Sequence, residues 1–568
     1  MSQVDWAVLA AALAGMVAYG IWKGGRSRNT EGFLLAGREM RWGTVALSIM
    51  ANQASAITFL STPGQAYADG MRFVQFYLGL PIAMIVVSAV AVPLYYRLKV
   101  YTAYEYLETR FDLKTRTLAA FLFLIQRGLA AGLTIFAPSL ILSVILGWDV
   151  RLTVLVIGAA VVIYTTSGGA RAVSRTQTLQ AAIILTGMVA AFVAIVALLP
   201  ADVSLFDALR VAGKAGRLKA IDPSFSLTSR YTLWSGLIGG AFLQLSYFGT
   251  DQSQVQRYLS GSSVTQSRLG LLFNGMVKVP MQFGILLVGA TLFAFYQFQA
   301  PPVFFNPVET AKVRSSPEGP RFADLEARYR AARGAQEARA RELAAAMRRG
   351  DGREGGAVAA YRAASAASGE LRSEAISLIR TADPKADPSD TNYVFLSFVV
   401  HNLPAGLVGL VLAMVFAASM SASSAELNAL ASTTLVDVYR RLLKPGAGDG
   451  HYVLVSRLAT VGWGAFAILF AEYASRLGSL IEAVNILGSL FYGTILGVFL
   501  AGFYLKGVSG TAVFVAAIVA EALVVACFLF SGISFLWYNV VGCLAVLALA
   551  LLFERASRKP FPAITASV

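Results

Sequence analysis

The sequence predicts an all-α integral membrane protein with about 13 transmembrane helices. Of its 568 residues, 57% are hydrophobic and only 14% are charged, whereas about a quarter of the residues of a soluble domain are charged. The mean hydropathy is +0.63. Long apolar runs recur along the chain, and three of them also carry many polar side chains. This combination excludes an ordinary soluble fold and indicates a membrane protein with a polar interior.

The predicted spans are apolar runs of roughly 20 residues, the length that crosses about 30 Å of hydrocarbon. They are residues 4–22, 43–68, 73–97, 118–147, 152–166, 176–199, 233–258, 269–298, 403–439, 453–470, 480–505, 511–530 and 535–553. Asp5 lies at the start of the first span, and Lys23 follows its end. A signal peptide has the opposite order, with positive charge before its apolar run, so we expect this span to be retained in the mature protein.

Basic residues favour one orientation, because loops rich in Lys and Arg stay on the cytoplasmic side. They cluster after alternate spans, as with Lys23, Arg26 and Arg28, then Arg171 and Arg175, and finally Arg555, Arg558 and Lys559. We therefore predict a multi-pass protein of the cell (inner) membrane, embedded in the lipid bilayer, with its N-terminus outside and its C-terminus in the cytoplasm. The net charge of +15 mostly reflects these basic loops on the cytoplasmic side, so no nucleic-acid partner is expected.

Two loops are long, and both fall on the outer side: residues 200–231 and 301–392. The second is rich in Ala, Arg and Glu. Its opposite charges lie four residues apart in the pairs Asp324/Arg328, Glu326/Arg330 and Glu337/Arg341, which is typical of a solvated helix. We predict a helical hairpin with helices near 321–350 and 357–381. The expected role is an insertion without catalytic function; a docking surface for an unknown partner, or a lid, remains the alternative.

The sequence contains few of the residue types that act in catalysis or bind metals. The chain has two His and two Cys, namely His401, His451, Cys527 and Cys543, which are far apart in the sequence. No metal-ligand spacing, disulfide framework or phosphate-binding loop is present. We therefore expect neither an enzyme nor an ATP-driven pump, and no cofactor.

Polar residues inside spans mark ion or substrate pathways. They concentrate in the second span, "MANQASAITFLSTPG", the seventh, "GGAFLQLSYFGTDQSQVQRYLS", and the ninth, "MVFAASMSASSAELNALAS". The second is interrupted by Pro63-Gly64 and the seventh by Gly249, five spans later. Polar, interrupted spans at matching places in two halves are typical of inverted-repeat transporters with discontinuous helices.

Several motifs resemble the sodium:solute symporter family. They are "STPGQAYADG", "YTAYEYLETRF", "YTTSGGARAV", "GTDQSQVQRYLSG" and "LPAGLVGLVLA", in that order. The resemblance runs from about Gly32 to Gly507, apart from the outer insertion. "TAYEYLETRF" and "VQRYLS" are nearer the iodide, monocarboxylate and multivitamin branch than the sugar symporters.

The resemblance implies a core of two inverted five-helix repeats, spans two to six and seven to eleven. The expected organisation is an extra helix and loop at 1–42, a first repeat at 43–199, and a second repeat at 232–300 and 393–507. Two extra helices and a cytoplasmic tail follow at 508–568.

It also implies a sodium site between the broken second span and the ninth span. By the matching motifs, Ala51 and Ala54 supply carbonyls on one side, and Ala418 supplies a carbonyl and Ser421 a hydroxyl on the other. The physics agrees, because an ion leaving water needs about five replacement oxygens.

Two positions depart from the family pattern. A second hydroxyl expected at 422 is Ala422, and a carboxylate linked to a second ion in some members is matched by Gln177. Ser424 or Glu426 is the expected compensation at the cation site. Proton coupling or uncoupled exchange stays open, and so does simple helix packing as the reason for the other serines.

Counted from the "QR" pair, Lys278 falls where sugar-transporting members of the family place a substrate-contacting lysine. By the same counts, the carboxylate with which those members face the sugar in the third span is matched here by Tyr77. The full set of expected substrate residues is Gln53, Thr58, Tyr77, Gln244, Tyr247, Lys278 and Asn485, with Tyr247 and Phe248 as gate residues. A pocket that keeps the Lys278 cation and lacks this carboxylate favours a small organic anion as the solute, because charge-assisted hydrogen bonds to a carboxylate are strong. Lys278 as an internal partner of Asp251 is the alternative, and no role is assigned to Arg127, Glu482 or Glu521.

The predicted function is secondary active transport: sodium-coupled symport of a small organic solute by alternating access, with a monocarboxylate as the expected type. A sugar or neutral polar solute is the alternative within this class. A membrane sensor that binds solute without moving it is the alternative outside it.

Overall fold

The computed structural model of the chain describes residues 1–24, 30–350, 354–384, 386–474 and 478–557, with side chains except at residues 17, 19–24, 167–175 and 474. The described residues form helices and contain no β-strand. The first nine α-helices are α1 (Gln3–Gly24), α2 (Thr30–Leu35), α3 (Trp42–Gln53), α4 (Ala56–Asp69), α5 (Leu80–Ala89), α6 (Ala91–Leu98), α7 (Glu105–Arg110), α8 (Leu113–Leu146) and α9 (Val150–Ala197). Short 3-10 helices lie at Ala36–Arg38 and Met71–Tyr77.

The remaining helices follow after the first long loop. They are α10 (Leu205–Lys214), α11 (Gly240–Gly249), α12 (Gln252–Leu259), α13 (Val264–Phe295), α14 (Pro307–Arg314), α15 (Gly319–Arg349), α16 (Glu354–Ala382), α17 (Thr391–Asn402), α18 (Leu407–Thr433), α19 (Asp449–Ala474), α20 (Leu480–Tyr504), α21 (Gly510–Phe530) and α22 (Phe535–Ser557). π-helical turns lie at Ser235–Gly239 and Thr434–Leu443.

The helices confirm the all-α membrane class. Among the described residues, nine helical stretches are long and apolar enough to cross a bilayer, and the bent pair α3 and α4 makes a tenth. Two shorter apolar helices, Gln3–Met16 and Val150–Thr166, fall in predicted spans. The count of 13 spans stays a prediction.

The fifth and sixth predicted spans both fall within α9, which is assigned as one helix of 48 residues. The Tyr164 and Thr176 hydroxyls nevertheless lie 2.7 Å apart. Twelve residues of straight helix would separate them by about 18 Å along the axis. The ends of the fifth and sixth predicted spans therefore lie side by side at Tyr164 and Thr176.

The second span is broken, as predicted, but not where Pro63-Gly64 suggested. The axes of α3 and α4 differ by 57°, and Ala54 leaves the helix at φ −88°, ψ 59°. Pro63 lies inside α4. A Cβ at Gly64 would overlap the Thr391 carbonyl oxygen, so this glycine permits close packing of α4 against α17.

The seventh span breaks immediately after Gly249, between α11 and α12. Asp251 caps α12, because its carboxylate accepts from the Ser253 N–H at 2.8 Å. The Asn52 amide, at the end of α3, donates to the Ser253 carbonyl at 3.2 Å. The two breaks therefore meet inside the protein.

Helix α18, which carries the polar ninth-span residues, lies at the centre of the helix bundle and is buried along nearly its whole length. Asp5 of α1 fixes its N-terminus, since the Asp5 carboxylate accepts from the Gly406 N–H at 2.7 Å and the Gly409 N–H at 3.1 Å. A carboxylate at this end of a helix is favourable. The extra N-terminal helix is thus anchored to the helix with the candidate cation donors.

The insertion contains the expected helical hairpin, formed by α15 and α16, which pack through Phe322, Leu325 and Ile379. The pairs Asp324–Arg328 and Glu337–Arg341 form at 3.9 and 3.0 Å. The third expected pairing is wrong: Glu326 pairs with Arg314 of α14, at 2.8 Å. Interhelix packing brings Arg314 close, which sequence spacing alone does not reveal.

Part of the basic pattern used for orientation lies outside the described residues: Arg26, Arg28, Arg558 and Lys559, together with the side chains of Lys23, Arg171 and Arg175. The orientation of the termini therefore stays a prediction.

Candidate functional site

A cavity of about 100 Å³ lies where the two helix breaks meet. Its walls come from both broken spans, from the 3-10 helix Met71–Tyr77, and from α8, α13, α18 and α20. The lining residues are Asn52, Gln53, Ser55, Ile57, Thr58, Phe76, Tyr77, Gln126, Arg127, Thr134, Leu243, Gln244, Tyr247, Lys278, Glu426, Ile481, Val484, Asn485 and Tyr492. We call this cavity the central pocket.

The central pocket brings together all of the residues expected to contact substrate. Gln53, Thr58, Tyr77, Gln244, Tyr247, Lys278 and Asn485 all line it. Phe248 is outside the lining and fully buried, with its ring centroid 5.1 Å from that of Tyr247. Residues from five different spans thus converge on one cavity, although their individual roles stay predictions.

Lys278 is a buried cation in the pocket wall. It is 1% exposed, and its Nζ has no hydrogen-bond partner among the described residues. The nearest π system is the Tyr77 ring, whose centroid lies 5.8 Å from Nζ. An unpaired buried ammonium is costly, so this position is suited to an anionic group of a bound solute.

Arg127 of α8 is the second cation in the pocket, and two carboxylates hold it. Its Nη1 donates to Glu426 of α18 at 3.0 Å, and its Nη2 pairs with Asp251 at the seventh-span break. Nη2 also lies 2.6 Å from the Tyr492 hydroxyl. The guanidinium carbon is 5.4 Å from the Tyr247 ring centroid. Arg127 therefore contacts the seventh-span break, α18 and the candidate gate residue Tyr247.

This pairing contradicts one alternative from the sequence, since Asp251 pairs with Arg127 rather than with Lys278. The sequence signal for Arg127 was present: it is a lone charge within the apolar run of α8, and intramembrane charges are functional by default. What the sequence did not reveal was which acids it meets, because they lie 124 and 299 residues further along the chain.

The candidate cation donors meet next to the pocket. The Ser421 hydroxyl of α18 donates to the Ala51 carbonyl of α3 at 3.2 Å. Ala54 lies at the break, and Ala418 is one helical turn before Ser421 and fully buried. The Ser424 hydroxyl donates to the Ser421 carbonyl at 3.1 Å. Glu426 instead faces the pocket and Arg127. The helices expected to hold sodium are thus in direct contact at two of the four predicted ligands, Ala51 and Ser421, and their role as sodium ligands stays a prediction.

Gln177, which replaces a carboxylate, joins the helices around this contact. Its Oε1 accepts from the Ser48 hydroxyl of α3 at 2.5 Å, and its Nε2 lies 3.5 Å from the Ser421 carbonyl. Gln177 is fully buried. A neutral amide can fill its hydrogen bonds with these helices, whereas a carboxylate there would require a cation.

A polar network around Glu482 covers one end of the pocket. The Glu482 carboxylate accepts from Arg230 at 2.6 Å, from the Tyr231 hydroxyl at 3.0 Å and from Gln65 of α4 at 3.3 Å. Its neighbour Ile481 lines the pocket. This network, which we call the Glu482 latch, connects α4 of the second span and the loop residues before the seventh span to α20.

A second network lies near the other end of α20, where Arg110 of α7 donates to the Gly502 and Leu505 carbonyls at 3.3 and 2.7 Å. Asp437 accepts from Arg116 at 2.8 Å and from the Thr102 hydroxyl at 2.9 Å. Glu108 pairs with Arg116 at 2.8 Å and with Arg441 at 2.6 Å. Arg441 and Arg116 hold the pKa of the Glu108 carboxyl below its usual value. We call this network the Asp437 latch; it joins α7 and α8 to the end of the ninth span.

Sequence comparison places this chain among known transporters. The rabbit (Oryctolagus cuniculus) sodium-dependent multivitamin transporter is 27% identical over 509 residues, which cover 89% of this chain and 66% of the relative. The human sodium-coupled monocarboxylate transporter 1 is 27% identical over 88% of this chain and 68% of its own length. The human sodium/iodide cotransporter is 31% identical over 51% of this chain. The chain thus spans about two thirds of the length of the first two relatives.

The structure resembles the substrate-bound, outward-open state of a Na⁺-coupled sialic acid symporter, with a TM-score of 0.75, 22% identity and 98% coverage of both chains. This similarity confirms the inverted-repeat transporter fold with its discontinuous helices. The family model of the sodium:solute symporters matches residues 33–317 and 375–520. That match covers most of the chain on both sides of the hairpin, and the chain belongs to the sodium:solute symporter family.

Proposed function

We propose that this protein is a multi-pass membrane symporter that couples sodium entry to uptake of a small organic anion, such as a monocarboxylate. One observation carries the proposal: the Ser421–Ala51 contact joins α18 to the broken second span beside a pocket that contains an unpaired lysine. Membership in a family of sodium symporters supports the coupling ion. No catalytic role is assigned to any residue.

Sodium binding is supported by the geometry of the first break. Helix unwinding at Ala54 frees carbonyl oxygens that a continuous helix would use internally. The Ser421 hydroxyl already lies within hydrogen-bond distance of one of them. A sodium ion between these groups would replace this hydrogen bond with ion contacts and draw α18 and α3 together.

The anionic solute is supported by Lys278, because a carboxylate forms its strongest hydrogen bonds with charged donors. A neutral polar solute is a second candidate, favoured by the amides of the pocket. The Gln53 Nε2 and Gln126 Oε1 atoms are buried and without hydrogen-bond partners among the described residues. The two candidates differ in how strongly they depend on Lys278.

Alternating access is supported by the two latches. The Glu482 latch and the Asp437 latch lie toward opposite ends of α20, with the central pocket between them. Opening one latch while the other stays closed would expose the pocket to one side at a time. Sodium and solute bound together would favour the exchange between these states.

The proposal is tested by uptake into proteoliposomes across a panel of monocarboxylates, sugars and neutral polar solutes. With an inward sodium gradient, we expect at least one organic anion to accumulate above its external concentration; with potassium in place of sodium, it should not. Movement of no solute under any gradient would remove the transporter proposal, and accumulation of sugars alone would remove the anion.

Replacing Ser421→Ala should raise the half-saturating sodium concentration by about tenfold or more, because a hydrogen-bonding group facing a charge contributes about 1.5–3 kcal/mol. Sodium-dependent uptake at fixed solute concentration measures this value. The matched control is Ser423→Ala on the same helix, whose buried hydroxyl has no partner among the described residues. Equal sodium dependence in the two variants would exclude Ser421 as a ligand.

Replacing Lys278→Met keeps the length of the side chain and removes its charge. Affinity for anionic solutes should fall by about 10-fold to 100-fold, since the charge-assisted bond is lost, while a neutral solute of similar size should lose much less. Competition of each unlabelled solute against labelled substrate gives both affinities. Equal losses for the two solutes would contradict an anion contact at Lys278.

Replacing Glu482→Gln should loosen the Glu482 latch and populate states in which the pocket opens on that side. The readout is the rate at which an impermeant maleimide labels Leu243→Cys, a pocket position, after Cys527→Ser and Cys543→Ala remove the native thiols. We expect the rate to increase several-fold, because the carboxylate has three donors. An unchanged or slower rate would show that Glu482 does not hold the pocket closed.

A further inference from the structure

Four charged side chains lie in or directly beside the central pocket, and their formal charges sum to zero. Arg127 and Lys278 are the cations, and Asp251, beside the pocket, and Glu426 are the acids. All four are at most 6% exposed. Because a net charge buried inside a membrane protein is costly, the balance among these groups constrains what the pocket can carry across the membrane.

The two acids are held very differently. Asp251 is saturated: it accepts from Arg127, from the Tyr492 hydroxyl at 3.1 Å, and from the N–H and hydroxyl of Ser253 at 2.8 and 2.7 Å. Glu426 has one strong partner, Arg127, and its Oε2 has none among the described residues. Of the two carboxylates, Glu426 is therefore the one free to exchange partners.

Glu426 lines the pocket and lies on α18, the helix that also carries the candidate cation ligand Ser421. It follows Ser421 by five residues on α18, a rise of about 7.5 Å along the helix. It follows Ala422 by four residues and so lies on the same face. A solute carboxylate entering beside Lys278 and Arg127 competes with Glu426 for the guanidinium. The negative charge of Glu426 is then no longer neutralised by Arg127 and acts on a cation at Ser421, about 7.5 Å away along the helix axis.

We propose, resting on the proposed function, that Glu426 is the coupling residue: it keeps the pocket neutral only when the pocket is empty or holds one sodium and one monoanion together. Sodium alone leaves a surplus positive charge, and the anion alone leaves a surplus negative charge. Either singly loaded state is disfavoured in the closed, desolvated pocket. The protein therefore exchanges sides empty or doubly loaded, which gives one-to-one symport without net charge movement.

The test is Glu426→Gln, which removes one negative charge and keeps the shape. The variant pocket is then neutral with the anion alone but not when empty, so exchange of labelled external anion for unlabelled anion preloaded inside the proteoliposomes should proceed without sodium. Sodium stimulation should fall from at least about fivefold, the lower range of ordinary coupling, to less than twofold. The matched control is Glu521→Gln, a carboxyl in α21 that lines a separate groove, and its stimulation should equal that of the wild type.

Strict sodium dependence retained by a transporting Glu426→Gln variant would overturn the proposal. A second measurement needs no variant: wild-type accumulation under a sodium gradient, with the membrane potential set by valinomycin and potassium. We expect no change between 0 and 100 mV, whereas one uncompensated charge would change the limiting accumulation about fiftyfold. Potential-driven accumulation overturns the proposal even if Glu426→Gln does not fold. Absence of sodium-driven uptake in the wild type would instead overturn the proposed function.

Discussion

The desolvation of a small cation is the constraint that organises this structure. An ion that leaves water inside a bilayer needs several oxygens in place of its hydration shell, and an intact helix offers none because its carbonyls are bonded internally. In the proposed site, this need is met at a 57° bend at Ala54, where α3 ends. The Ser421 hydroxyl on the facing helix lies 3.2 Å from the Ala51 carbonyl. The break, the polar face of α18 and the pocket beside them are parts of one arrangement.

Hydrogen bonds elsewhere in the fold hold the two helix breaks and α18 in their relative positions. Asn52 links the first break to the second through the Ser253 carbonyl, and Asp251 both caps α12 and holds Arg127. Asp5 of the extra helix fixes the start of α18. Because Asn52, Asp251 and Asp5 each join helices from different parts of the chain, we expect a shift at the cation contact to alter the pocket wall as well. This shared bonding gives coupling between ion and solute a physical route.

Much of the fold was predictable from the sequence, because the bilayer forces every span to be helical and apolar. The second and seventh breaks were expected from their polar content, and the seven residues that the motif resemblance named for substrate binding line one cavity. The exact position of the first break was not predictable from the sequence. Gly64 permits close packing of α4 against α17, whereas the helix ends at Ala54, nine residues before Pro63. The partners of Arg127 and Glu482 were also hidden, because such contacts depend on how distant helices pack rather than on local pattern.

The central claim is that a sodium ion bridges the first break and α18. The most direct measurement is a pair of experimental structures of the intact protein, one in saturating sodium with the transported solute and one in potassium without it. The account predicts density for an ion between the Ala51 carbonyl and the Ser421 hydroxyl in sodium only, with these two atoms both turned toward the ion. A direct hydrogen bond between them and no ion density in saturating sodium would contradict the account.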